Sequence, residues 1–112
     1  MKHTMTFVVL IALSLFVSSP VRADKPSGKT ESLKIKIDNF NFNPATLTVR
    51  PGTTVTWVNQ DDVPHTVTST DKKFDSKVLD TDEKFSFTFT DRGSYNYFCK
   101  VHPHMTGKIL VQ

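Results

Sequence analysis

Phe85-Ser86-Phe87-Thr88-Phe89, and beyond the turn at Arg92-Gly93 the run Tyr95-Asn96-Tyr97-Phe98-Cys99, decide the fold. In the first run apolar and polar side chains alternate with a period of two, the repeat of a half-buried strand rather than of a helix. Working outward, Leu33, Ile35 and Ile37 alternate with Lys34 and Lys36, and Leu47 and Val49 repeat the pattern. Pro51-Gly52 supplies a turn into a third strand around Val55 and Trp57, and Ile109 and Val111 share one face of a final run. Nothing after residue 23 sustains apolar spacing of three and four over a helical length, so the class is all-β. Seven or eight short strands imply two packed antiparallel sheets, a β-sandwich. Phe40, Phe42, Trp57, Phe74, Phe85, Phe87, Phe89, Tyr95 and Tyr97 are expected to fill its core. The least regular stretch, 69–82, is expected to hold a short helical turn around Asp71 to Phe74.

The 112 residues suit one small domain and are too few for a two-domain enzyme. The beginning reads differently from the rest. Lys2 and His3 precede an apolar run from Phe7 to Val17, then come Pro20 and the small-residue site Val21-Arg22-Ala23. This is the grammar of a secretory signal over residues 1–23, and its apolar run is about half the ~20 residues that cross a bilayer. Residues 24–31 read as a flexible polar lead-in, and 32–112 as the folded domain. Without Lys2 and Arg22 the 14 basic residues fall to 12 against 11 acidic ones. So small an excess gives no footprint for nucleic acid or an anionic membrane, and a monomer without membrane insertion is expected.

The exported part keeps one cysteine, Cys99, one methionine, Met105, and three histidines, His65, His102 and His104. A lone cysteine forms no internal disulfide; by itself it reads as a small buried hydrophobe. Its neighbours change that reading. Cys99-Lys100-Val101-His102-Pro103-His104-Met105 sets a thiol, an imidazole three residues on and a thioether three further into one loop at a strand end. A thiolate, two imidazoles and a weak thioether are the donors of a blue-copper electron-transfer site. His65 can supply the second imidazole, since it lies in the loop that follows the Trp57 strand and a sandwich gathers its loops at the two ends. His104 reads as a surface residue near the site. Asp61, Asp62, Asp71, Asp75, Asp80, Asp82 and Glu83 lack the compact spacing of a calcium loop and read as a solvated face.

Asn59, Pro64-His65, Tyr95 to Cys99, His102-Pro103 and Met105-Thr106-Gly107-Lys108 together resemble a cupredoxin, with the C-x2-H-x2-M spacing nearest to amicyanins. The resemblance implies a Greek-key sandwich, one copper ion cycling between Cu(I) and Cu(II), His65, Cys99 and His102 in a plane around it, and Met105 as a long axial ligand. It also implies that Asn59 ties the two ligand loops together. Lys100 departs from the family, which commonly has Thr or Ser there, and removes a hydroxyl partner for Asn59. Val101 replaces the usual Pro and leaves an N–H for the Cys99 sulfur, so Val101→Pro is expected to raise the potential.

The function expected is a soluble periplasmic or otherwise extracytoplasmic carrier of single electrons between redox partner proteins. Electrons would pass through the edge of His102, among Pro103, Val63 and Pro44. A copper-storage or delivery protein is the alternative, weakened because one methionine is few for such a role. An enzyme is not expected, since an oxidase or reductase needs an open coordination position or a second metal.

Overall fold

The computed structural model describes residues 31–112. The signal reading for 1–23, and the lead-in up to residue 30, lie outside the described residues. Eight strands form: β1 (Ser32–Asp38), β2 (Asn41–Asn43), β3 (Thr46–Val49), β4 (Thr53–Asn59), β5 (Thr68–Ser69), β6 (Lys84–Phe89), β7 (Gly93–Phe98) and β8 (Thr106–Val111). They make two four-stranded sheets, ordered β2-β1-β4-β6 and β3-β8-β7-β5.

The sheets are mixed rather than wholly antiparallel. β1 pairs parallel with β4, and β3 parallel with β8. Between β1 and β4 the chain passes through β2 and then crosses to the other sheet as β3, so it re-enters the first sheet in its original direction. β2 and β5, of three and two residues, are too short for a period-two signal.

The alternation buries what it was expected to bury. Thr53, Val55, Trp57 and Asn59 face inward along β4, and the inward face of β7 continues through Tyr97 to Cys99. Strand period alone thus carries one amide and one thiol into the interior at one end of the sandwich. Trp57 organises the centre, its ring 5.4 Å from that of Tyr97, 5.8 Å from Phe85, 5.9 Å from Phe74 and 6.3 Å from Phe89. Full burial of each such side chain contributes about 1.5–3 kcal/mol. Gly107 lies opposite Tyr97 in the β7–β8 register, and a methyl group there would run into the Tyr97 ring.

Two expectations are corrected. Phe40 is not core: it is 49% exposed. It sits with Asn39 in the two-residue turn between β1 and β2, both with positive φ, 54° and 58°. Hairpin turns of this hand match the strand twist and normally use Gly or Asn, so a phenylalanine there is strained by about 1–3 kcal/mol. Nor is there a helical turn at Asp71 to Phe74. A hydrogen-bonded turn closes instead, the Lys72 N–H donating to the Ser69 carbonyl at 3.1 Å with Lys72 at φ 61°. It delivers Phe74 into the core.

Candidate metal centre

The loops after β4 and β7 meet at one end of the sandwich. His65 is fully buried and its backbone is clamped on both sides by Leu79: the His65 N–H donates to the Leu79 carbonyl at 3.1 Å, and the Leu79 N–H returns to His65 at 2.8 Å. Asn59 shapes the approach. Its side-chain N–H groups donate to the carbonyls of Val63 and Leu79 at 2.9 and 2.8 Å, and its Oδ1 accepts the Asp61 N–H at 2.9 Å. A buried amide is costly unless hydrogen-bonded, and here both ends are used.

The second loop closes on itself. The Cys99 N–H donates to the Met105 carbonyl at 3.1 Å, and the Met105 N–H to the His102 carbonyl at 2.8 Å. Cys99 and Met105 are buried, His102 is half-buried, and His104 is exposed. The donor atoms converge. His65 Nδ1 lies 3.6 Å from Cys99 Sγ and His102 Nδ1 lies 3.8 Å from it, and the ligand atoms of all three residues fall within 4.8 Å of one another. His104 stays outside this cluster and lines the shallow cavity beside His102.

The tie between the two loops differs from the one the resemblance implied. Asn59 bonds within its own loop and to Leu79, and the connection to the cysteine segment runs through Thr66. Its N–H donates to Cys99 Sγ at 3.3 Å, and its hydroxyl oxygen accepts the Lys100 N–H at 2.8 Å. The hydroxyl that position 100 lacks is therefore supplied from the opposite loop. Among the described residues Thr66 gives the only backbone N–H on the sulfur. Val101 gives none: with the Lys100 amide drawn to Thr66, the chain carries Val101 out to the surface. The expected rise in potential for Val101→Pro loses its basis.

Asp61, read from the sequence as part of a solvated face, is a partner of His65. Its Oδ2 lies 2.8 Å from His65 Nε2. A carboxylate only accepts there, so Nε2 carries the hydrogen and Nδ1 keeps its lone pair toward the cluster. Burial works against ionisation of Asp61, but the amides of Phe40 and Asn39 and the His65 ring outweigh it and hold the carboxyl below its usual range. An acidic residue four positions before a candidate ligand histidine was the available signal. Thr66 and Phe40 gave none, because their contacts exist only in three dimensions.

A soft thiolate with two imidazole nitrogens suits copper in both oxidation states, and a hydrogen bond to the sulfur favours the thiolate. The comparisons agree. Residues 6–111 match the family model described as a cupredoxin-like domain. The chain is a cupredoxin. It is 32% identical over 95 residues to amicyanin from Paracoccus versutus, covering 80% of this chain and 70% of that one. It is 33% identical over 101 residues to the chloroplastic plastocyanin of Tetradesmus obliquus, covering 77% and 70%. Among solved structures, a novel purple cupredoxin from Nitrosopumilus maritimus superimposes with a TM-score of 0.68 at 34% identity, over 70% of this chain and 98% of that one. A Cu(I) form of an amicyanin variant does so at 0.69 and 30% identity, over 72% and 82%. In this cupredoxin the cluster of His65, Cys99 and His102 with Met105 forms a type 1 copper site.

Proposed function

We propose that this cupredoxin is an exported carrier of single electrons. In it His65 Nδ1, Cys99 Sγ and His102 Nδ1 would hold the copper, with the Met105 thioether as a fourth donor. The observation that carries the reading is the convergence of three donor atoms from two loops within 4.8 Å. Bound copper supplies a one-electron couple between Cu(I) and Cu(II). The chain's contribution is rigidity. His65 is fixed by Asp61 at one nitrogen and by Leu79 through its backbone, and Cys99 by its own N–H and by Thr66. Donors held this firmly need little rearrangement when the charge changes.

His102, half-buried where His65 is fully buried, is the side open to a redox partner protein. Phe40 stands against it, with ring centroids 5.1 Å apart. The secretory grammar of residues 1–23 supports a periplasmic or equivalent location. The nearly balanced charge of the exported part supports a monomer that makes brief contacts.

The test is to express residues 24–112, add Cu(II) and record the visible spectrum, then repeat with Cys99→Ser. An intense charge-transfer band that needs Cys99 and bleaches reversibly on reduction is the expected result. Tight Cu(I) binding with handover to a second protein and no such band would replace the carrier by a copper-delivery role.

A further inference from the structure

Phe40 is an anomaly in the turn between β1 and β2. It is a large apolar residue, half in solvent, in a left-handed conformation that glycine would adopt without strain. Two sets of contacts account for it. Its ring meets the His65 ring edge-on at 5.6 Å and the His102 ring edge-on at 5.1 Å, while the two imidazoles lie 5.0 Å apart. The three rings thus form a triangle on the outer side of the donor set. The backbone beneath is held by one side chain. Asp61 Oδ1 accepts the Asn39 N–H at 2.6 Å, and Asp61 Oδ2 accepts the Phe40 N–H at 2.9 Å. That same Oδ2 takes the His65 Nε2 hydrogen at 2.8 Å.

We infer that Asp61 and Phe40 are one positioning unit, in which the carboxylate locks the left-handed turn and the His65 ring together so that Phe40 caps the His65 ring and one edge of the half-buried His102 ring. Asp61 fixes where the aromatic ring sits relative to the ring it covers, because both hang from the same oxygen. Glycine at position 40 would relieve the backbone and lose the cap. This rests on the copper reading for its purpose but not for its test, which uses metal-free protein.

The probe is iodoacetamide, with alkylation of Cys99 followed by intact mass under native conditions. In the parent the buried thiol reacts slowly. Phe40→Ala and Asp61→Ala are each expected to react about tenfold faster, the effect of losing a contact worth about one ordinary hydrogen bond, while Phe40→Leu stays near the parent. Val49→Ala, in the core and outside the donor set, controls for global opening at comparable thermal stability. In nuclear magnetic resonance spectra the His65 Nε2 hydrogen is slowly exchanging in the parent and exchanges faster in both alanine variants. Parent-like alkylation in Phe40→Ala, or an equal acceleration in Val49→Ala, overturns the inference. So does acceleration in Asp61→Ala without Phe40→Ala. Failure of the copper reading shows separately, as a parent protein that gives no Cys99-dependent band with Cu(II).

Discussion

Thr66→Val tests whether the two ligand loops are joined as described. Thr66 is buried, and its hydroxyl oxygen accepts the Lys100 N–H at 2.8 Å and lies 2.9 Å from the Thr68 hydroxyl. Valine replaces the hydroxyl by a methyl of similar size, so little cavity is added, but both polar partners lose their hydrogen bond. Two such losses, at about 0.5–1.5 kcal/mol each, sum to about 1–3 kcal/mol. For a domain of this size that lowers the melting temperature by roughly 4–24 °C. The assay is thermal unfolding of the metal-free protein by circular dichroism, since bound copper would add its own stabilisation. Thr66→Ser keeps the oxygen and recovers most of the loss. The Thr66 N–H on the sulfur survives in both variants, so the visible band of the copper-loaded protein keeps its character. A valine variant that melts within about 2 °C of the parent refutes the tie, since among the described residues the Lys100 amide has no other acceptor.

Asn59→Leu takes one hydrogen bond each from the Val63 and Leu79 carbonyls and the Asp61 N–H, leaving the Leu79 carbonyl only the His65 N–H, and is expected to weaken copper affinity about 10–100-fold by competition with a chelator, because it loosens Asp61, the outer hydrogen-bond partner of His65. Gly107→Ala drives a methyl into the Tyr97 ring and is expected to cost about 1–3 kcal/mol in denaturant titration. The Lys100–Asp75 ion pair, 2.9 Å long, gives a pH dependence. Lys100 and the Lys77 amide hold the Asp75 carboxyl below its usual range, so the native state favours the ionised form. Its contribution is complete above the unfolded carboxyl value of about 3.9 and is lost as pH falls through the lowered native one. Asp75→Asn is therefore expected to melt slightly below the parent at neutral pH, by less than about 1 kcal/mol because Lys100 is exposed and Asp75 only partly buried, and to match it near pH 2. A difference that persists in acid, or one indifferent to salt at neutral pH, would show that the pair is not its source.

The period of two was enough to find six of the eight strands, and in the fold the same period carries Cys99 and Asn59 inward beyond Tyr97 and Trp57. The donors were legible for a chemical reason: few residue types bind soft metals, and a chain with so few of them leaves little choice. What pattern could not reach was anything set by the path between strands. β1 and β4 run parallel because the intervening chain changes sheets, and no local alternation records that. Phe40 has the composition of a core residue, yet a tight turn and the Asp61 carboxylate hold it outside. Asp61 itself looked like any loop acid, and its three hydrogen bonds become visible only when residues 39, 40 and 65 are brought beside it. The hydroxyl missing at position 100 was noticed in the sequence, while its replacement at Thr66 needed the fold.

The margins of the two sheets carry a further consequence. Of the four outermost strands, β2, β3 and β5 span three, four and two residues, each too brief to template pairing with a neighbouring molecule. The fourth, β6, opens with an exposed lysine, Lys84, which discourages stacking there. Margins of this kind give a second copy of the domain little on which to add a strand.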